Sequence, residues 1–182
     1  LAMSSGMATV AASIRLCAKA GDHVIVTDKI FVVSRSFFLD ECPAMGIEVS
    51  FVDMLDLDKV QEAIQPNTTA LFAETVTNPQ MCVVDLAGLK KIAADNDISF
   101  IVDNTYLGPY LLQPIEFGAD LILDSATKYL SGHGDAVGGV LCGSQKLISE
   151  ARATMSSFGQ CISPFNAWLI LRGIRTLPLR MR

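Results

Sequence analysis

A single lysine, Lys128, stands in a run of residues whose types suit covalent chemistry. Residues 121–123 are apolar and predict a buried strand, which leads through the hydroxyls of Ser125 and Thr127 into a glycine-rich turn at 132–134. A neutral amine can form a Schiff base with an aldehyde, and hydroxyl groups can bind the oxygens of a phosphate. The alternative is an ordinary lysine whose charged end reaches solvent from the edge of a sheet.

A second candidate for binding an anion lies near the beginning of the chain. The residues Ser5-Gly6-Met7 precede a helical pattern over about residues 7–19. The N–H groups at a helix start are free to hold a phosphate, although a serine there is also typical of an ordinary N-cap.

Three more candidates follow predicted strands. Phe31 comes after a strand at 23–27 and could stack on a planar ring or pack in the core. Asn78 follows a strand at 69–73 and the residue Glu74, in a loop that turns at an Asn-Pro pair. Asp103 follows a strand at 99–102, where a carboxylate could cap a turn, bind a metal or pair with a heteroaromatic nitrogen. No second cluster of ligands supports the metal.

The order of elements predicts an α/β fold. Strands near residues 23, 48, 70, 99, 121 and 139 alternate with helices, which predicts a mostly parallel sheet with helices on both faces. Ligands of such sheets bind beyond the carboxyl ends of the strands, so the candidate residues should converge there. Further helices are expected at about 34–45, 56–64, 85–96 and 144–155. One more helix is expected to begin with Ser163 and Pro164, and its residues Leu169, Leu171 and Ile174 should face inward.

Composition narrows the possible functions. The 182 residues are 51% hydrophobic and 18% charged, with a net charge of −5 and no basic stripe, which argues against nucleic acid as a partner. No apolar run is long enough for a membrane span, and no leader is evident. Five cysteines without metal-binding spacing are typical of reduced, buried thiols in the cytoplasm.

The run from Asp120 to Gly134 resembles the lysine signature of the Cys/Met-metabolism (trans-sulfuration) family of pyridoxal-phosphate enzymes. That family includes cystathionine γ-synthase, methionine γ-lyase and O-acylhomoserine sulfhydrylase. Every specified position of the signature is met, and the resemblance extends along the rest of the chain. It implies pyridoxal 5′-phosphate as cofactor, an amino-acid substrate, and β- or γ-elimination or replacement on a sulfur-containing or O-acylated amino acid.

The resemblance also implies a role for each candidate residue. Lys128 would form the Schiff base with the cofactor and then move protons on the substrate, and Asp103 would bind the pyridine nitrogen. Asn78 would bind the phenolic oxygen, and Glu74 would brace its loop. Phe31 would stack on the ring, where the family usually has tyrosine followed by two glycines; this chain has Val32-Val33 in place of the glycines. The phosphate would be held by Ser5, Gly6, Met7, Ser125 and Thr127.

With phenylalanine at position 31, this chain resembles the O-succinylhomoserine sulfhydrylase branch more than the methionine γ-lyase branch. Family members are about twice as long and form dimers or tetramers with shared sites. Residues 1–182 would then be the cofactor-binding large domain, truncated at both ends. The substrate-carboxylate arginine would lie in a C-terminal domain, and further phosphate ligands in an N-terminal arm.

Three other classes compete with this interpretation. A nicotinamide enzyme would need Gly-x-Gly-x-x-Gly between a strand and a helix, which residues 3–9 do not supply. A Schiff-base lyase without a cofactor would keep Lys128 but would not need Asp103. A non-catalytic cofactor-binding or oligomerisation unit would keep the pocket and turn over nothing.

Overall fold

A computed structural model describes residues 1–182 as one seven-stranded sheet with helices on both faces. The strand order is β1-β7-β6-β5-β4-β2-β3. Strands β2 to β6 are parallel to one another, whereas β1 and β7 are antiparallel to their neighbours. The predicted α/β fold with a mostly parallel sheet is therefore confirmed. The strands are β1 Ala2–Met3, β2 His23–Thr27, β3 Glu48–Val52, β4 Thr68–Glu74, β5 Ser99–Asp103, β6 Leu121–Asp124 and β7 Gly139–Gly143.

The helices follow the predicted pattern with two short additions, α6 and α9. A π-helical turn, Phe37–Glu41, joins α2 to α3, and a 3₁₀ turn occupies Pro114–Phe117. The helices are α1 Gly6–Cys17, α2 Val32–Ser36, α3 Cys42–Ala44, α4 Leu57–Glu62, α5 Leu86–Asp95, α6 Gly108–Leu111, α7 Gln145–Ser157, α8 Pro164–Ile174 and α9 Leu177–Arg180.

Two apolar cores lie on the two faces of the sheet. One contains Val10 and Ile14 of α1 and Ala151 of α7, and the other contains Leu89 and Ile92 of α5. Strands β2, β4 and β6 are buried along nearly their whole length, which explains their continuous apolar sequences. This double covering fixes the sheet, so the loops after its parallel strands start from rigid positions. No helix combines the length and apolar character needed to cross a bilayer.

The predicted inward face of α8 is partly wrong. Leu169 is buried, but Leu171 is 63% exposed and Ile174 is 39% exposed; the helix packs inward through Leu169, Ile170 and Gly173 instead. Because α8 carries apolar residues on both sides, its periodicity could not distinguish the packed face from the open one.

The prediction that the cysteines are buried also fails for most of them. All five thiols are free, but only Cys42 is buried, whereas Cys142 and Cys161 are exposed. Apolar neighbours in sequence do not guarantee burial in the antiparallel part of the sheet, where Cys142 lies on β7.

Candidate active site

All nine predicted site residues line one cavity of about 270 Å³. It lies at the carboxyl ends of the parallel strands, where the loops after β2, β4, β5 and β6 meet the start of α1. The structure therefore brings the residues together, while their individual roles stay predictions. The fifteen lining residues are Ser5, Gly6, Met7, Val10, Phe31, Ser34, Glu74, Val76, Asn78, Asp103, Thr105, Tyr106, Ser125, Thr127 and Lys128.

Parallel pairing explains the convergence. Glu74 and Asp103 end β4 and β5 as partners in register, so both side chains lie on the same face of the sheet. The turn after β5 is tied to the turn after β6, because the backbone N–H of Ser125 donates to Thr105 Oγ1 at 2.8 Å. Residues that are about twenty positions apart in sequence thus share one wall of the cavity.

The first turn of α1 forms what we call the anion side of the cavity: Ser5, Gly6, Met7 and the facing Ser125. Ser5 Oγ accepts the N–H of Ala8 at 3.1 Å and caps the helix, while the N–H groups of Gly6 and Met7 have no acceptor within the helix. A Cβ on Gly6 would lie 2.8 Å from Ser125 Cβ, so glycine permits this close approach. The arrangement suits a phosphate group, which helix N-termini bind through N–H groups and the helix dipole.

The turn that carries Lys128 is fixed by contacts on two sides. Thr127 Oγ1 accepts the N–H of Gly138 at 3.2 Å and lies 3.3 Å from the Gly138 carbonyl. On the other side α8 packs so closely that a Cβ on Gly173 would meet the backbone of Ser131. Lys128 itself is exposed, so the sequence-based picture of a lysine at a buried strand end holds for the strand and not for the side chain.

Two carboxyl groups, Glu74 and Asp103, form the acidic side of the cavity. Burial raises the pKa of Asp103, although the N–H of Thr105, which donates to Oδ1 at 2.9 Å, opposes the shift. Burial and then repulsion by Asp103 raise the pKa of Glu74 to about 7, against the N–H groups that it accepts. Behind them on β6, burial and the same repulsion raise the pKa of Asp124 to about 8. A positively charged ligand beside Asp103 would favour the ionised form of all three carboxyl groups.

The cavity fits pyridoxal phosphate by the chemistry of its lining. Free N–H groups and hydroxyls on the anion side match the phosphate, and a half-buried phenylalanine, Phe31, offers an apolar face to a ring. Asp103 lines the cavity and forms no ion pair with a lysine, arginine or histidine of the chain, so a protonated pyridine nitrogen would supply its positive partner. Lys128 provides the amine for the aldehyde.

An adjoining cleft of about 450 Å³ opens beside the lysine. It shares Asn78, Tyr106 and Lys128 with the first cavity and adds Tyr129 and the glycines of the following turn. A ligand attached at the lysine could therefore extend beyond the first cavity.

Sequence reasoning missed part of the lining. Thr105 and Tyr106 directly follow Asp103, and their position after a strand end was a usable signal. The expected contact between Glu74 and the Asn78 loop is present, but Glu74 also binds the backbone of Phe31, which lies 43 positions away. No local pattern could indicate that second contact.

The α/β fold with a lysine and a carboxylate at the rim of a parallel sheet agrees with one class of protein, the fold-type I pyridoxal-phosphate enzymes. Comparison with known families gives the particular group: a family model described as Cys/Met metabolism PLP-dependent enzyme matches residues 1–182. The chain belongs to this family, whose cofactor is pyridoxal 5′-phosphate.

Curated relatives span the whole of this chain. It is 44% identical over 181 residues to a canavanine γ-lyase of Rhizobium leguminosarum bv. trifolii, covering 98% of the chain and 45% of that enzyme. It is 43% identical over 181 residues to a cystathionine γ-lyase of Bacillus subtilis, covering 99% and 48%. It is 39% identical over 183 residues to an L-methionine γ-lyase of Pseudomonas putida, covering 100% and 46%. The chain thus spans about half the length of the curated relatives that it matches.

Proposed function

We propose that the protein containing this chain catalyses elimination at the β- or γ-carbon of an amino acid, with pyridoxal phosphate held covalently by Lys128. The substrate would be a sulfur-containing or O-acylated amino acid. The observation that carries the proposal is one cavity that combines an anion-binding helix start, a carboxylate short of a positive partner and an amine. The γ-lyase names of the relatives described above favour the γ-carbon.

Each residue would have a distinct task. When bound, pyridoxal phosphate supplies an electron-withdrawing ring that stabilises negative charge at the α-carbon of the substrate. Lys128 would hold the cofactor through Nζ and, once the substrate replaces it there, would move protons at the α-carbon and its neighbours. Asp103 would keep the pyridine nitrogen protonated, and Asn78 would bind the phenolic oxygen.

The remaining residues would bind and orient. Gly6 and Met7 would donate backbone N–H groups to the phosphate, with Ser5 supporting the turn and Ser125 offering its hydroxyl. The hydroxyl of Thr127 already contacts Gly138 at both its carbonyl and its N–H, so it would have to share its proton with the phosphate. Phe31 would cover the ring and has no hydroxyl with which to move a proton.

Lys128→Ala in the full-length protein tests the central step. Wild-type protein should take up pyridoxal phosphate, show the absorbance band of a lysine-bound aldehyde and retain the cofactor after reduction with borohydride. The alanine variant should lose the band and the covalent label, whereas Lys146→Ala, a change at the start of α7 outside the cavity, should keep both. Wild-type protein that takes up no cofactor would refute the proposal.

A γ-replacement is the second candidate, because Phe31 lacks the hydroxyl expected of the methionine γ-lyase branch. A substrate panel separates the two. Methionine, cystathionine, canavanine and O-succinylhomoserine would each be assayed with and without an added thiol. Release of 2-oxobutanoate supports γ-elimination and pyruvate supports β-elimination, whereas a thioether formed only with the thiol supports replacement.

We also propose residues 1–182 as the cofactor-binding large domain of a homo-oligomeric, cytoplasmic enzyme. The family match over residues 1–182 and the coverage of the relatives support the domain assignment. Comparing cofactor uptake and turnover by this chain alone and by the full-length protein tests whether the domain acts only as a binding unit. Light scattering of the full-length protein at several concentrations tests the oligomer.

A further inference from the structure

One buried carboxylate, Glu74, joins two segments that line the cavity from different parts of the chain. Its Oε1 accepts the backbone N–H of Phe31 at 2.9 Å, and its Oε2 accepts the backbone N–H of Asn78 at 2.9 Å. Phe31 follows β2 and Asn78 belongs to the loop after β4. Glu74 is only 5% exposed and lies at the end of β4, a central strand that pairs with β2 and β5.

This two-oxygen contact fixes the backbone at both positions. Phe31 stands at the N-cap of the short helix α2 and has no side-chain cap of its own. Asn78 has no neighbour that anchors its N–H other than Glu74. Both N–H groups therefore depend on the same carboxylate, and movement of Glu74 would move both residues relative to the ring site.

The strength of the contact depends on the charge of Glu74. A carboxylate offers two charged acceptor oxygens, whereas the protonated acid must turn an O–H toward one of the two N–H groups. Asp103 of β5, Lys128 after β6 and Tyr106 after β5 are the titratable groups that line the same cavity. Arg35 of α2 instead donates to the carbonyl of Asp28.

We propose that Glu74 is a positioning residue that holds Phe31 and Asn78 at the cofactor, and that cofactor affinity requires Glu74 to be ionised. The inference rests on the proposed function, since it concerns the same site. Burial and repulsion by Asp103 raise the pKa of Glu74 to about 7, so the change falls in an accessible range of pH. Cofactor affinity should decline as the pH falls through that range, because protonation removes one acceptor.

The test measures binding rather than turnover. Pyridoxamine 5′-phosphate, which has no aldehyde and cannot bond covalently to Lys128, is titrated into full-length protein stripped of cofactor. Wild type is compared with Glu74→Gln at pH 6 and pH 8.5. The control is Asp120→Asn, whose carboxylate accepts the N–H of Phe100 at 2.8 Å, outside the cavity. Thermal denaturation of each stripped variant reports losses of fold stability.

At pH 8.5 Glu74→Gln should weaken binding about tenfold or more, because an amide presents a donor where an acceptor is needed. At pH 6 the ratio between wild type and Glu74→Gln should shrink toward one, since wild type is then largely protonated. Asp120→Asn should bind as wild type at both values. Because both proteins bind the same ligand at each pH, the ratio of their affinities removes the effect of the ligand's own phosphate titration.

The outcomes separate the two proposals. If wild-type protein binds pyridoxamine phosphate at pH 8.5 and the Glu74→Gln variant binds it equally tightly at that pH, the positioning role is overturned and the proposed function is not. A ratio that stays the same at pH 6 and pH 8.5 overturns the requirement for ionisation. If wild-type protein binds neither pyridoxal phosphate nor pyridoxamine phosphate, the proposed function itself is wrong.

Discussion

The two sides of the cavity present different chemical groups to a ligand. The anion side uses backbone N–H groups and hydroxyls of Ser5, Gly6, Met7 and Ser125, none of which titrates near neutral pH. The acidic side uses Glu74 and Asp103, with Asp124 behind them, and burial raises the pKa of all three. Binding on the anion side should therefore use donors whose protonation does not change near neutral pH, whereas binding on the acidic side should depend on the ionisation of its carboxyl groups.

This difference assigns separate tasks to the two sides. The anion side can hold a phosphate without any change of protonation, because its donors are fixed by α1 and by the close packing of Gly6 against Ser125. The acidic side carries the energetic cost of buried carboxyl groups, which a positively charged ligand would offset. A buried cluster of this kind is typical of a functional site rather than of a site that only adds stability.

Asp103→Asn, a change on the acidic side, should have the largest effect on turnover. An amide carries no charge to balance a protonated pyridine nitrogen, so turnover by the full-length protein should fall about 100- to 1,000-fold, a range typical for loss of one electrostatic group at an active site. Cofactor should still bind, because the anion side is intact. Steady-state assays and the absorbance of bound cofactor measure the two effects separately.

The matched control is Asp53→Asn. Asp53 also follows a parallel strand, β3, but it pairs with Lys29 at 2.6 Å and does not line the cavity. It should keep near wild-type turnover. Equal losses in both variants would mean that the acidic side has no special role.

Asp124→Asn tests the acidic side through the stability of the folded chain rather than through turnover. Because the pKa of Asp124 is raised to about 8, the folded chain binds this proton more tightly than the unfolded chain. Its contribution to the free energy of unfolding therefore falls as pH rises from about 4 to about 8. Removing the carboxyl should stabilise the cofactor-free protein at pH 8 by roughly 2 kcal/mol, after allowing for local relaxation, and change little at pH 4.

Urea denaturation of the two proteins at pH 4, 6 and 8 measures this difference. Glu74 and Asp103 remain in the variant, so part of the pH dependence should persist. A variant that is less stable than wild type at pH 8 would show that the Asp124 carboxyl makes favourable contacts when ionised.

Much of the sheet and of the lysine turn could be predicted because the determining residues are neighbours in sequence. The apolar runs of β2 and β6 are continuous. Asp85 and Ser163 cap α5 and α8, where they accept the N–H groups of Gly88 at 3.0 Å and Asn166 at 3.2 Å. Local rules of propensity and capping are sufficient for such features.

Contacts between distant parts of the chain could not be predicted in the same way. The bond from Phe31 to Glu74 spans 43 positions, and the packing of Gly173 against the turn after Lys128 depends on how α8 is placed. The open side of α8 also carries large apolar residues, Leu171 and a stacked Phe165–Trp168 pair. Which side is buried is decided by tertiary packing, and the sequence pattern carries no record of it.

Ser5→Ala should have the smallest effect and tests the anion side. Losing the bond from Ser5 Oγ to Ala8 N removes an N-cap, which costs about 1 kcal/mol of stability. Ser163→Ala removes the equivalent cap of α8, outside the cavity, and should cost about the same. Only Ser5→Ala should also weaken pyridoxamine phosphate binding, by the same factor at pH 6 and pH 8.5, because a hydroxyl does not titrate there. A factor that changes with pH would mean that the contribution of Ser5 depends on the charge of the bound phosphate or of a titrating group near it.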